Sequence, residues 1–401
     1  AARLEALRVP FVPQGPEAAA DCDVMVLSPG VPPAQPLFEQ ARRAGIRVIG
    51  DVEAVAGMLR GPVLGITGSN GKTTVTALCG RLLEQAGIPA QVGGNIGVPP
   101  ASMVATSRPG QWNVLELSSF QLEMTESLRV HIAAVLNVTP DHLDRHGTME
   151  AYAAAKERIF LNQQPGDAAV LNAENEVTRG FAPRRAARVY WFNAGGRSES
   201  GFWAEGGELV CDGQAWMRVS EIPLRGRHNV ENVLAAACCA HIAGAGLSAI
   251  REGVIRFPGV EHRIEFVRTV GGVSYYNDSK ATNVDAAIKA IEAFDGGLWI
   301  ILGGLDKNSD YRPLAPLLAA RARAALLIGS AAGIIEAHLG GAIRIERCGD
   351  LASAVHLAAS QAQPGETVLL APACASFDQF SGYEHRGRVF KELVAKLEDF
   401  A

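Results

Sequence analysis

The sequence predicts an α/β fold of largely parallel sheets, with a partial opening unit, a central unit and a closing doubly wound unit. Three observations carry that expectation. Short apolar runs alternate with helix-length patterned segments almost throughout. A glycine-rich turn, GITGSNGKTT at 65–74, stands between a hydrophobic run and a helical one. The 401 residues are 48% hydrophobic and 20% charged, which suits two or three domains of roughly 100–200 residues with ample core.

The elements follow in order. DVMVL (23–27) reads as a short strand running into Ser28-Pro29-Gly30, 35–44 as a helix stopped by Gly45, and IRVI (46–49) as a second strand. This opening unit, 1–60, is too short for a complete doubly wound sheet, and its first strands are expected to be missing. The central unit, 61–258, begins at Gly61-Pro62 with strand VLGI, the glycine turn, and a helix from Lys72 to Ala86 with Gly87 as its C-terminal cap. Further strands are predicted at 112–117, 132–138 and 168–171, then a small antiparallel insertion over 186–223 and a helix over 229–243. Phe257-Pro258-Gly259-Val260 reads as a hinge, because Pro and Gly break a helix there ahead of a new run of strands. In the closing unit, 259–401, strands at 273–277, 297–302, 325–328, 343–346 and 366–371 alternate with helices.

The glycine turn is where the chemistry starts. Gly65, Gly68 and Gly71 let backbone N–H groups approach a phosphate, and the following helix adds its favourable dipole. Lys72 supplies a point positive charge, and Thr73 can offer a hydroxyl to Mg²⁺. The spacing departs from G-x-x-x-x-G-K-[ST], since Ile66 stands five residues before Gly71. A phosphate-loop enzyme also needs an acidic metal ligand at a neighbouring strand end, and VLELSS offers Glu116 where its hydrophobic strand finishes. NVTPDHLDRHG (137–147) gathers Asp141, His142, Asp144 and His146 in one turn, a cluster suited to a metal, to proton transfer, or to ordinary capping. Lys156 shares a helix side with Tyr152, Ile159 and Phe160. It either snorkels or, if buried near cations, favours the neutral amine or a modified, anionic form.

Composition narrows the class. A net charge of −5 without a long basic run argues against nucleic acid as a partner. No run of about 18 apolar residues is present, so no membrane span is expected. The alanine-rich start lacks the charged and apolar regions of a signal peptide. Seven scattered cysteines without a CxxC pair point to reduced thiols and a cytoplasmic location.

Read together, TGSNGKTT, GGNIG (93–97), LELSSFQL (115–122), NVTPDHLDRHGTMEAYAAAKERI (137–159), GRHNVENVLAA (226–236), EHRIE (261–265), NDSKATN (277–283), LGGLDK (302–307) and PACASFDQF (372–380) resemble the Mur ligases of peptidoglycan synthesis. The resemblance spans essentially the whole sequence. It implies a three-domain architecture: a partial Rossmann-like N-terminal domain for the UDP substrate, a central ATPase-like domain and a C-terminal Rossmann-like domain for the acceptor. LELSSFQL, NDSKATN and PACASFDQF point to the branch that joins D-glutamate to UDP-N-acetylmuramoyl-L-alanine. The implied reaction is ATP-dependent amide formation through an acyl-phosphate, by a cytoplasmic enzyme expected to be a monomer.

The same resemblance implies roles. Gly68, Asn70, Gly71, Lys72, Thr73 and Thr74 would hold ATP, with Glu116 and Thr73 on a first Mg²⁺. His142 would ligate a second, together with Lys156 as the family's carbamylated lysine. Lys72, His142 and Lys156 are thus the expected catalytic residues. Asn95 and Ser118 or Ser119 would contact the muramoyl substrate, and Asn232 would sit by adenine. Arg263, Asp278 and Asp306 would contact ATP. Lys280, Thr282, Ser376 and Phe380 would receive D-glutamate, with Lys307 nearby. The family's opening strand and glycine turn for uracil precede the first residue here, leaving SPGV (28–31) as the match to a second nucleotide loop. Uridine contacts are therefore only partly assignable, and weak UDP binding is expected of a chain that truly starts there. Among rival ligases, the absent DNPR string argues against a diaminopimelate-adding enzyme, and LELSSFQL with the SPG loop argues against a folylpolyglutamate one. A phosphate-loop switch or motor leaves the closing unit unexplained.

Overall fold

A computed structural model describes residues 22–182 and 186–398, the side chain of Asp144 apart. The alanine-rich start and the last three residues lie outside that range. The chain packs as two compact units. One takes in the chain to Glu205 with Val210–Trp216 and Leu234–Gly253; the other holds Gly206–Leu209, Met217–Val233 and Val254 onward.

In the first unit, β1 (Val24–Leu27) and β2 (Arg47–Gly50) form a two-stranded parallel sheet. The helix Pro36–Arg43 buries Phe38 and Ala41 beside Leu27 and Val48. This fragment is fastened at Glu53, whose carboxylate accepts from the N–H groups of Glu126 and Ser127 and from the Ser127 hydroxyl. The main sheet comprises β3 (Val63–Thr67), β4 (Ala90–Gly94), β5 (Trp112–Glu116), β6 (Ile132–Val135), β7 (Ala168–Asn172), β8 (Arg188–Asn193), β9 (Gly201–Glu205), β10 (Glu208–Cys211) and β11 (Gln214–Arg218). Its order is β11-β10-β9-β8-β7-β6-β3-β5-β4. The pairs β4–β5, β3–β5, β3–β6 and β6–β7 are all parallel.

Over 188–205 the expected antiparallel insertion is not what forms. Strand β8 pairs in parallel with β7, and β9 in parallel with β8, so the main sheet simply continues. Gly201 sits at φ +97° where a Cβ would lie 2.2 Å from the Trp191 carbonyl oxygen. It marks a close strand approach rather than a reversal. AQVGG, unassigned by pattern, becomes the edge strand β4 through its pairing with β5.

The second unit holds β12 (Glu265–Val270), β13 (Val273–Asn277), β14 (Leu298–Gly303), β15 (Ala322–Ile328), β16 (Ile345–Gly349) and β17 (Thr367–Leu370), in the order β12-β13-β17-β14-β15-β16. Only the β12–β13 pair is antiparallel among those registered here. Alternation along β14 fills both faces. Leu298, Ile300 and Leu302 join one core, while Trp299 and Ile301 join the other. That is why the strand reads as a continuous apolar run. Residues 256–264 contain neither helix nor strand, which agrees with a break near the predicted 257–260 segment.

Candidate active site

In a parallel sheet the strands' carboxyl ends open toward one edge, and loops there carry ligands. In the first unit the loops after β4, β5, β3 and β6, neighbours in the sheet, carry Asn95, Glu116–Ser119, the glycine turn and the 137–147 segment. Gly71 caps the helix Lys72–Gln85 in a left-handed conformation, φ +87°, and its neighbour loop is tied down at several points. Ser69 N donates to Asn137 O at 2.9 Å, Asn70 N to Asn137 Oδ1 at 2.9 Å, and Ser69 Oγ to Thr139 O at 2.9 Å. Lys72 Nζ donates to the carbonyls of Gly68 and Ser69, both at 2.8 Å. Thr73 and Thr74 are buried in the first helical turn.

Glu116 is 2% exposed. Its Oε1 accepts from Asn95 Nδ2 at 3.0 Å, while its Oε2 has no hydrogen-bond partner. A buried carboxylate oxygen left unpartnered is costly, so the position suits a cation. Lys156, 1% exposed, settles the choice left open by sequence: it does not snorkel. Its Nζ donates to Gly68 O at 2.7 Å and lies 4.4 Å from the centre of the Tyr152 ring. Burial first, and the Lys72 charge second, push its pKa well below the ordinary lysine range, against the pull of Asp141 and Glu116. His142, at φ +53°, is the more open member: its Nε2 lies 3.6 Å from Asp141 Oδ2, and its ring meets Phe120 edge-on at 4.9 Å. Ser118 and Ser119 separate. Ser118 Oγ accepts from Gln121 N at 3.2 Å in a capping box and stays half-buried, whereas Ser119 is buried with its Oγ 3.0 Å from His146 Nε2.

In the second unit, the loops after β13, β17 and β14, again sheet neighbours, carry 277–283, 371–380 and 303–308. Asp278 is fully buried, and burial raises its pKa to about 6 despite the charges of Arg263 and Lys280 nearby. Its Oδ1 and the Arg263 Nε lack hydrogen-bond partners. Lys280 Nζ lies 5.1 Å from the centre of the Tyr383 ring, and Thr282 N donates to Lys280 O at 2.8 Å. Asp306 accepts from Tyr311 OH at 2.7 Å and from the N–H groups of Asn308 and Ser309, bonds that hold its pKa low against its partial burial. Lys307 lies between Asp306 and that turn. Ser376 is buried, and its carbonyl accepts from Phe380 N at 2.8 Å. Asn232 is occupied within its helix, donating to Asn229 Oδ1 at 2.9 Å.

One organising residue escaped the sequence reading. Arg386 is fully buried and donates to Ser279 Oγ (3.0 Å), Ser279 O (2.8 Å), Cys374 O (3.2 Å) and Ala375 O (3.3 Å). It stitches the NDSKATN loop to the PACASFDQF loop. The signal was there, since Arg386 shares helical spacing with buried Phe390 and Val394.

Two largely parallel sheets, one with a phosphate loop beside a buried lysine and glutamate, match a known pattern. Residues 66–240 correspond to the Mur ligase middle domain and 262–374 to the Mur ligase glutamate ligase domain. The chain belongs to the Mur ligase family. It is 55% identical over 392 residues to the UDP-N-acetylmuramoylalanine–D-glutamate ligase of Solibacter usitatus, covering 98% of this chain and 89% of that one. The enzyme of the same name from Acidobacterium capsulatum is 54% identical over 378 residues, 93% of this chain and 82% of that one. Among solved structures, the UDP-N-acetylmuramate-alanine ligase of Thermotoga maritima superposes with a TM-score of 0.65 at 19% identity, covering 98% and 90% of the two chains. That likeness establishes the fold alone.

Proposed function

We propose that this chain is an ATP-dependent ligase that joins D-glutamate to UDP-N-acetylmuramoyl-L-alanine in cell-wall synthesis. The observation that carries the reading is near full-length likeness to the D-glutamate ligases; the glycine turn with Lys72 and the buried Glu116, whose Oε2 is unpartnered, support it. The substrate carboxylate attacks the γ-phosphorus of ATP, ADP departs, and the D-glutamate amine then attacks the acyl carbon and expels phosphate. Lys72 and the loop N–H groups hold and neutralise phosphate oxygens. The unpartnered Glu116 Oε2 and the Thr73 hydroxyl fit a first Mg²⁺, and His142 with a carbamylated Lys156 a second. Such ions supply positive charge where two anions must meet.

Asn95 and Ser118 bind the muramoyl end, with Ser119 behind them. Gly68, Asn70, Gly71, Thr74, Asn232, Arg263, Asp278 and Asp306 serve ATP. Lys280, Thr282, Lys307, Ser376 and Phe380 serve D-glutamate, whose carboxylates need cations and hydroxyls. The reading divides the chain at 60 and 258 and takes it as a cytoplasmic monomer. The seven free cysteines accord with a reducing compartment, and no helix among the described residues is long and apolar enough to cross a membrane. The test is ADP release with UDP-N-acetylmuramoyl-L-alanine against a panel of D- and L-amino acids. Release that needs both that nucleotide and D-glutamate is expected. Release indifferent to the amino acid, or dependent on a macromolecule, overturns the assignment.

A further inference from the structure

His146 stands outside every role assigned above, yet it is almost wholly enclosed, its side chain 5% exposed. Its ring stacks on Phe120 at 5.5 Å and tilts against Tyr152 at 5.2 Å. Its Nδ1 lies 3.9 Å from Glu123 Oε2, and Glu123 in turn is held by Arg145. Its Nε2 lies 3.0 Å from Ser119 Oγ. Tyr152, on the far side of the ring, bonds through its hydroxyl to Ser69 Oγ of the phosphate loop at 3.2 Å.

These contacts form one connected path. A carboxylate facing Nδ1 favours the proton on that nitrogen, which leaves Nε2 to accept from the Ser119 hydroxyl. Ser119 is thereby committed inward, three residues beyond Glu116, and its neighbour Ser118 stays half-buried at the head of the short helix Ser119–Leu122. The segment after β5 is also tied by Leu117 N to Ile66 O, Gln121 Nε2 to Asp51 Oδ2 and Arg158 Nε to Leu122 O, and the Ser119–His146 contact adds a link to the 143–146 turn. Through Tyr152 and Ser69, the same ring keeps that segment in register with the loop after β3.

We propose that His146 is a positioning residue for the muramoyl substrate, acting through Ser119 to fix the 116–122 segment against the phosphate loop. Its role is exercised through Ser119 rather than by direct contact. The inference rests on the ligase reading and gives a role to a residue of the 137–147 turn that the resemblance left without one.

The decisive comparison is His146→Phe, which keeps the stacking ring and drops the bond to Ser119, with His146→Gln, whose side-chain amide can reach the Ser119 hydroxyl. Steady-state constants are measured for wild type, both variants, Ser119→Ala and the His146→Phe/Ser119→Ala double variant, each checked for folding by thermal unfolding. One neutral hydrogen bond predicts a rise of about three- to tenfold in KM for UDP-N-acetylmuramoyl-L-alanine in His146→Phe. KM for ATP stays within about twofold, His146→Gln recovers most of the loss, and the double variant is no worse than either single one. Equal rises in both KM values, no rescue by Gln, or multiplying effects in the double variant overturn the proposal. A wild-type protein without D-glutamate-dependent ADP release overturns the ligase reading instead, and this proposal falls with it.

Discussion

Lys156 shows how one buried side chain concentrates chemistry. An amine enclosed beside Lys72 is driven toward its neutral, nucleophilic form. Carbon dioxide could bond to the neutral amine's lone pair with release of a proton to solvent, giving a carbamate whose anionic oxygens would suit Mg²⁺. Lys156→Ala should therefore fold and bind nucleotide while losing nearly all activity, and short carboxylic acids should restore part of the rate. Lys156→Arg should not be rescued, because its guanidinium fills the space with the wrong charge. An Ala variant that keeps most of its rate, or an inactive one deaf to added acids, removes the carbamate role.

Asp278 makes a prediction about pH. Its pKa is raised from the ordinary 3.8 to about 6 by burial. Below the unfolded pKa, both states hold the proton and no penalty is felt. Between about pH 4 and 6 the unfolded chain ionises while the native state still holds its proton, so stability falls across that window and stays lower above it, where the native state must bury a charge. The difference corresponds to about 3 kcal/mol. Asp278→Asn should be more stable than wild type at pH 7.5 by an amount of that order, with the gain fading toward pH 4, and should lose activity. Urea unfolding at the two pH values checks it, and a variant destabilised at pH 7.5 contradicts it.

At the scale of elements, the loops after β14 and β17 meet by close backbone approach, in addition to the bonds of Arg386. Gly304, at φ +136°, follows β14 where a Cβ would lie 2.2 Å from Ala375 O and 3.2 Å from Cys374 Cβ. Leu305 N donates to Ala375 O at 2.9 Å just beyond. Gly304→Ala should push the loop after β14 off the loop after β17, which bears Ser376. We expect KM for D-glutamate to rise more than KM for ATP, with a stability loss of about 1–3 kcal/mol from strain and displaced bonds. An unchanged D-glutamate KM in a folded variant speaks against that account.

At the scale of the molecule, each compact unit has its own cores, so unfolding need not be a single step. Ligand binding stabilises the unit that carries it by mass action. At 100 times Kd this amounts to about 2.7 kcal/mol. Mg·ADP should raise an unfolding midpoint, EDTA should cancel most of the rise, and Lys72→Ala should abolish it. A shift untouched by EDTA would mean that Glu116 Oε2 has no metal to hold.

The sequence by itself determined the parallel α/β plan, the glycine turn ahead of its helix and the strand-end position of Glu116. Those features are written in local pattern: apolar runs of strand length, a glycine turn with Lys and Thr, and polar strings at strand ends. Only the tertiary structure decided that 186–205 extends the main sheet in parallel, that Lys156 is enclosed rather than snorkelling, and that Ser118 and Ser119 face different partners. It also decided that Arg386 and His146 belong among the organising residues. Each of those facts depends on contacts between residues distant in the chain: Trp191 with Gly201 across strands, Lys156 with Gly68, His146 with Ser119, and Arg386 with Ser279. Burial and hydrogen bonding of this kind arise when separate elements meet, and no local spacing encodes which side chain will meet which.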